Sequence, residues 1–265
     1  MLESFIGLTQ QKFLKYILGL KRNCSNLATL GELGEFPICL NAFVSMLTFW
    51  HRSATQMQEN TLVYQALHYI SNNDSNQSLW FATVKCLLTE LGMQNLLTNP
   101  ALLTPYKFKE QCKSKIKNMF RQQWSAKIMS QGVGCKLRFY KQFKNEFIRE
   151  PYLDFINNYD LRKIITKFRC SEHKLEIEVG RHKGVPIDER ICKLCRCSVE
   201  TEFHFLTECP LYRKYRLKFL GTNSEELWNE ILQCNDKRSA FNLANFLTKS
   251  FDLRKRLLDL YTYFR

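Results

Sequence analysis

The stretch ICKLCRCSVETEFHFLTECPLY, residues 191–212, carries five side chains able to bind a metal ion. They are Cys192, Cys195, Cys197, His204 and Cys209. Zinc prefers thiolate and imidazole ligands in a closed tetrahedron, which needs only four of them. The stretch therefore predicts a metal site that determines how this part of the chain folds.

The spacing of these residues favours four of the five. Cys192 and Cys195 form a C-x2-C pair, whose tight turn aims both sulfurs at one point, and His204 and Cys209 supply the second pair. Cys197 is separated from Cys195 by a single residue, which is a poor bite for one metal, so we expect it to be the spare. Three thiolates and one imidazole leave no position for water, which predicts a structural zinc. The alternative is a group of buried, unligated cysteines.

Composition indicates a helical protein outside the secreted class. The chain has 265 residues, 45% hydrophobic and 24% charged, with only 10 Gly and 6 Pro. These values and long runs without turn residues predict an all-α fold, an irregular helical bundle with a small CCHC zinc knuckle near the C-terminus. Eleven cysteines, an odd number and mostly scattered, argue against a disulfide framework. With no signal-peptide pattern and no long apolar run, we expect an intracellular protein, nuclear or cytoplasmic, without a membrane partner.

The formal net charge of +14 is concentrated in one block. Residues 107–150 contain 12 basic and 3 acidic residues, whereas residues 1–106 contain 6 of each. Such a block is typical of a polyanion-binding surface, although a solvated helix face has the same composition. We therefore predict four regions: a neutral helical region at 1–106, a basic helical region at 107–185, the zinc segment at 186–212 and C-terminal helices at 213–265.

Apolar periodicity predicts the main helices. They span 9–20, capped by Thr9, and 37–52, 60–71, 78–92, 211–220, 224–234, 237–249 and 253–264, with a turn-rich connection at 21–37. A long helix begins near Phe108, where apolar residues recur every four positions. Two short helices are expected between 159 and 180.

Candidate phosphate contacts follow the basic block. Along the long helix they are Lys109, Lys113, Lys117 and Arg121, and beyond it they are Lys136, Arg138, Lys141, Lys144 and Arg181, with His182 beside the last. Phe139, Tyr140 and Phe143 lie among the second set. Aromatic rings between basic groups can stack on the bases of a single strand, and they can equally be buried in a core.

Three stretches resemble one family. ERICKLC with ETEFHFLTECPLY, KFLKYILGLKRNCSNLATLGELGEFP near the start, and residues 136–186 are similar to the C-terminal end of reverse transcriptases from non-LTR (LINE-type) retrotransposons. The resemblance covers most of residues 10–215. It implies zinc ligation by Cys192, Cys195, His204 and Cys209, and a role in gripping the element's RNA or target DNA. Nuclear action is implied by the resemblance alone.

The sequence also predicts that the chain is not an enzyme. The family's polymerase holds two metal ions with paired aspartates, and this chain contains no Asp-Asp. A weak nuclease pattern, Asp160 with Glu172-His173-Lys174, is the remaining catalytic alternative. We expect a non-catalytic, zinc-stabilised module that binds RNA or DNA, with single-stranded RNA favoured. The alternatives are a zinc-stabilised protein-interaction scaffold and a truncated element remnant without function.

Overall fold

The computed structural model describes residues 5–72, 78–130, 132, 135–221 and 228–263. Over these residues the chain is all-α, and no strand occurs among them. The longer helices are α1 (Phe5–Ile17), α2 (Asn26–Leu33), α3 (Cys39–Thr55), α4 (Leu62–Asn72), α5 (Leu79–Glu90), α7 (Pro105–Met129), α10 (Tyr159–Arg169) and α14 (Lys237–Tyr263). The shorter ones are α6 (Asn95–Thr98), α8 (Tyr140–Phe143), α9 (Tyr152–Phe155), α11 (Glu176–His182), α12 (Arg213–Phe219) and α13 (Trp228–Gln233).

The chain divides into two compact units. Unit 1 contains residues 36–123 with the first eight residues, and unit 2 contains residues 9–35 and 124–265. The four regions that we defined from the charge of the sequence stay a prediction. Of the helices in the described residues, none is both long and apolar enough to cross a membrane.

Unit 1 is organised around α3 and the first part of α7. Helix α3 packs against α4, α5 and the 3-10 turn Pro100–Leu102. The α7 residues Phe108, Cys112 and Ile116 are fully buried, as the four-residue periodicity predicts. The imidazole of His51 stacks on the Phe108 ring with 4.2 Å between ring centroids. His51 is thus a core residue of α3.

Unit 2 is organised around α14, which packs against α9, α10, α12 and α13. Its core contains the aromatic residues Phe168, Phe205, Tyr212 and Phe246, all buried. Phe205 contacts Phe168 of α10 and Phe251 of α14, with centroids 5.8 and 4.7 Å apart. Because Phe205 directly follows the candidate ligand His204, these contacts attach the metal-binding segment to the core of unit 2.

A buried ionic cluster holds α2 and α10 together in unit 2. Arg169 donates to both carboxylate oxygens of Glu32, at 3.0–3.2 Å, and pairs with Glu150 at 2.6 Å. Tyr152 donates its hydroxyl to Glu32 at 2.6 Å. A buried charge is costly unless its partners are complete, so this cluster requires one arrangement of the four side chains.

Three predicted elements are wrong. The connection expected at 21–37 contains α2, whose N-terminus Ser25 caps by accepting from Ala28 N. Helix α1 begins at Phe5, so Thr9 lies inside it rather than at its cap. The two helices expected at 237–249 and 253–264 are the single helix α14. Ser250 and Arg254 are buried at positions of α14 where the helical pattern would place apolar residues. The apolar pattern is therefore interrupted although the helix continues. Residues 224–227 of the helix predicted at 224–234 lie outside the described residues.

Candidate metal centre

A short hairpin places the first two cysteines. Ile191 and Val199 form an antiparallel bridge, and Cys192 N donates to Ser198 O at 2.9 Å. The turn closes where Arg196 N donates to Cys192 O at 2.9 Å. Arg196 adopts φ 57°, in the left-handed region that ordinarily favours glycine. This backbone reversal brings Cys195 back toward Cys192.

A π-helical turn, His204–Glu208, places the second pair of ligands. Thr201 Oγ1 accepts from His204 N at 3.0 Å and so caps its start. At its end, Cys209 N donates to His204 O at 2.8 Å. Because a π turn repeats between residues i and i+5, it brings His204 and Cys209 to the same side of the backbone. The four-residue spacer between the two ligands follows from this geometry.

The four side chains selected by spacing come together. One ligand atom from each of Cys192, Cys195, His204 and Cys209 lies within 4.8 Å of the others. Zinc–sulfur bonds of about 2.3 Å set tetrahedral sulfurs about 3.8 Å apart, so the cluster needs only a small contraction to close on an ion. The four residues therefore lie close enough to bind a metal. The Cys197 thiol lies outside the cluster, exposed, and donates to Cys195 O.

The surroundings of His204 prepare its Nε2 for a metal. Nε2 lies 3.3 Å from Cys195 Sγ, within the cluster. On the other side of the ring, Nδ1 lies 3.0 Å from Glu208 Oε2 and 2.8 Å from Ser198 Oγ. A carboxylate accepts only, so this contact favours a proton on Nδ1 and leaves Nε2 as the nitrogen that would bind a metal. A ligating histidine with its other nitrogen bound to a carboxylate is a recurrent feature of zinc sites.

The thiol groups of Cys192 and Cys209 are joined by a hydrogen bond that shifts the pKa of each. A hydrogen bond from Cys209 lowers the pKa of Cys192 to about 2, while the same bond raises the pKa of Cys209. Burial lowers the pKa of His204, but Cys192 and Glu208 raise it by more. A divalent cation would replace the proton held between Cys192 and Cys209.

Three charged residues beyond the candidate ligands connect the cluster to the rest of unit 2. Glu200, fully buried, accepts from Cys192 Sγ at 3.6 Å and pairs with Arg254 of α14. Arg216 of α12 donates to the carbonyl oxygens of Leu206 and Cys209 at 2.6 and 3.0 Å. Sequence reasoning assigned none of these roles. Only Glu208, four residues after His204, had a helical-spacing signal that indicated a contact.

The candidate phosphate contacts on α7 are accessible. Lys109, Lys113 and Arg121 are exposed, and Lys117 is half-buried. Lys117 Nζ and Arg121 Cζ lie 4.9 and 5.2 Å from the centroid of the Phe36 ring. In the described part of the chain, none of the four forms an ion pair with a carboxylate. Lys109 and Lys113 are thus open to solvent, while Arg121 also donates to Asn118 Oδ1 at 2.9 Å.

The second candidate set has mostly internal partners. Arg138 pairs with Glu178 and Glu202, and Lys136 pairs with Glu172. Lys144, itself buried, pairs with Glu150 and donates to Ile148 O. Arg181 pairs with Glu178 at 2.9 Å and contacts His182, while Lys141 is half-buried. Phe139, Tyr140 and Phe143 are buried, so the core alternative for these aromatics is the one that the structure adopts.

The two carboxylates of the weak nuclease pattern have different surroundings. Glu172 Oε2 accepts from Lys21 N at 2.9 Å, and its Oε1 pairs with Lys136 at 3.3 Å. Asp160 lies in the exposed first turn of α10, whose N-terminus is capped by Asn158. Both carboxylate oxygens of Glu172 thus have partners inside the fold.

Comparison with protein-family models, with curated proteins and with solved structures found no match.

Proposed function

We propose that the chain is a non-catalytic, zinc-stabilised module that binds single-stranded nucleic acid, derived from the C-terminal end of a LINE-type reverse transcriptase. The observation that carries the proposal is the row of four cations on α7, which have no carboxylate partners among the described residues. The other predicted contacts are largely paired internally. The resemblance of residues 10–215 to that family supports the same function and favours RNA.

Zinc is the metal that the cluster fits best. Three thiols and one imidazole form a soft donor set, which excludes magnesium and calcium as natural occupants. No ligand position is left for substrate water, so the metal would stabilise structure rather than perform chemistry. Phe205, between the ligands His204 and Cys209, is fully buried in unit 2, which makes the segment part of that core.

The α7 row is suited to a phosphate backbone. Lys109, Lys113, Lys117 and Arg121 recur every four residues, which separates neighbours by about 6 Å along the helix axis. Long cationic side chains at this spacing can each reach a different phosphate. Contact with phosphates is independent of base sequence and releases counterions, so the affinity should fall steeply with salt.

The test compares RNA binding across a salt series. The variant replaces Lys109, Lys113, Lys117 and Arg121 with Gln, and its control replaces the exposed Lys12, Lys174, Lys183 and Lys255 with Gln. Both variants lose four charges. We expect the slope of log K against log salt to fall by about 3 for the α7 variant, because each phosphate contact contributes about 0.7 with a single strand.

Equal slopes for the two variants would show that net charge, and not the α7 row, governs binding. Absence of binding by the folded, zinc-loaded wild type at low salt would contradict the nucleic-acid function. That result would favour the protein-interaction scaffold.

A further inference from the structure

Helix α12 has two sharply different faces. Its seven residues, RKYRLKF, include four basic residues and no acidic one. Arg213, Lys214, Leu217 and Lys218 are exposed, whereas Tyr212, just before the helix, and Arg216 are buried. At 100° per residue, the exposed residues share one side of the helix. The helix therefore presents three cations to solvent while a fourth points inward.

The inward cation joins α12 to the metal-binding segment. Arg216 Nε donates to Leu206 O at 2.6 Å, and Nη2 donates to Cys209 O at 3.0 Å. Both acceptors belong to the segment that contains His204 and Cys209, and α12 packs against the π turn itself. The orientation of α12 thus depends on the backbone conformation that the cluster requires.

The outward cations have no carboxylate partners among the described residues. Arg213 and Lys214 form no ion pair or side-chain hydrogen bond there, and Lys218 Nζ lies 5.2 Å from the centroid of the neighbouring Phe219 ring. An unpaired group of three cations raises the local positive potential and attracts a polyanion. Nothing in the sequence pattern assigned a role to this face.

We propose that Arg213, Lys214 and Lys218 form a second nucleic-acid contact, and that the metal affects binding through this contact. The inference rests on the proposed function for the identity of the partner. Metal ligation would fix the position of Cys209, whose carbonyl oxygen accepts a hydrogen bond from Arg216. Arg216 lies on α12, so the metal would also fix the helix that carries the three cations. The α7 row belongs to unit 1, which contains no ligand of the cluster. Its contribution should therefore not require the metal.

Nucleic acid is a better partner for this face than an anionic bilayer. Membrane-surface helices combine a basic face with a broad apolar one that enters the acyl boundary. Leu217, 51% exposed, is the one large apolar side chain among the three cations. A single leucine provides little area for insertion, whereas three cations suit a phosphate backbone.

The experiment measures binding of single-stranded RNA by full-length protein, with saturating zinc and after chelation. Three proteins are compared with the wild type: Arg213, Lys214 and Lys218 replaced by Gln; the α7 variant described above; and a control with Lys12, Lys174 and Lys183 replaced by Gln. Anionic vesicles containing phosphatidylserine are the second probe. Zinc content and helicity of each variant establish that it folds and loads.

With zinc bound, we expect the slope of log K against log salt to fall by about 2 for the α12 variant, since three phosphate contacts contribute about 0.7 each. Its affinity should no longer depend on zinc. The α7 variant should bind more weakly than the wild type and keep the full zinc-dependent change in affinity.

An α12 variant that matches its control, beside an α7 variant that has lost binding, would overturn this inference and leave the proposed function standing. An α7 variant without effect, beside a weakened α12 variant, would support this inference and show that the α7 row is not the nucleic-acid contact. Loss of vesicle binding with unchanged RNA binding in the α12 variant would identify the face as a membrane contact and also overturn the inference.

Discussion

Arg254 and Glu200 form a bidentate ion pair inside unit 2, with Nε 2.9 Å from Oε1 and Nη2 2.6 Å from Oε2. Glu200 is fully buried and also accepts from the thiol of the candidate metal ligand Cys192. Arg254 lies on α14, far along the chain from the metal-binding segment. One ion pair therefore joins the C-terminal helix to the cluster.

Replacing Arg254 with Met should destabilise the protein strongly. The variant leaves the Glu200 carboxylate buried beside Cys192 without its main partner, and an unpaired buried charge costs about 3 kcal/mol or more. Urea unfolding of the zinc-loaded protein measures the change. Arg256→Met, at an exposed position on the same helix, is the matched control and should change the free energy of unfolding by less than about 0.5 kcal/mol. Equal effects at the two positions would show that the pair contributes little.

Replacing Arg196 with Gly should stabilise the hairpin of the metal-binding segment. An L-residue in the left-handed region costs about 1 kcal/mol, and glycine adopts φ 57° without that cost. The expected result is tighter zinc binding in competition with a chromophoric chelator. Arg196→Ala removes the same charge and keeps the strain, so it separates the two effects. If both variants bind zinc equally tightly, backbone strain at this turn does not limit the zinc affinity of the wild type.

Replacing Gly31 with Ala should destabilise unit 2, although alanine is the better helix former. A Cβ atom at this position would lie 2.6 Å from Trp124 Cζ2 and 2.7 Å from the Tyr140 hydroxyl. Both side chains are buried and hydrogen-bonded to α2 carbonyls, so neither can move freely. Overpacking of this kind costs about 1–3 kcal/mol. A rise in the melting temperature would contradict the tight packing of α2 on these two rings.

Lowering the pH should destabilise unit 1 through His51. Burial lowers the pKa of His51, and hydrogen bonds to the Pro100 and Leu103 carbonyls offset this only in part. The unfolded chain therefore takes up a proton near pH 6.5 while the folded protein does not, so stability is complete above that pH and falls below it.

Between pH 7.5 and 5.5, the wild type should lose more free energy of unfolding than His51→Gln, by at most about 1.4 kcal/mol for one proton over one pH unit. Urea unfolding at the two pH values gives both differences. A larger loss in the variant would reverse the sign and refute the assignment of a neutral, buried imidazole.

The helical fold was predictable where apolar residues recur regularly, as in α3, α5 and α7. Prediction failed where polar residues are buried or glycines lie in a helix. Helix α2 contains Gly31, which is required there by the close approach of Trp124, so propensity alone reads the segment as a turn. In α14, the buried polar residues Ser250 and Arg254 interrupt the apolar pattern, so the sequence predicted two helices where there is one.

The cluster was predictable because its ligands are local in sequence and their spacing follows from tight turns. Its supports were not, since Arg254 and Arg216 act through contacts that spacing does not encode. The same limit applies to the basic residues. Lys144 and Lys113 were both predicted to be phosphate contacts, yet Lys144 is buried against Glu150 and Lys113 is exposed.

The first measurement is the zinc content of purified protein by native mass spectrometry, for the wild type, Cys209→Ala and Cys197→Ala. We predict one zinc ion per chain in the wild type and in Cys197→Ala, and loss of that ion with unfolding of unit 2 in Cys209→Ala, because Cys209 both binds the metal and holds Arg216. A folded wild type that takes up no zinc, or a Cys209→Ala variant that keeps it, would contradict the assignment of these four residues as a structural zinc site.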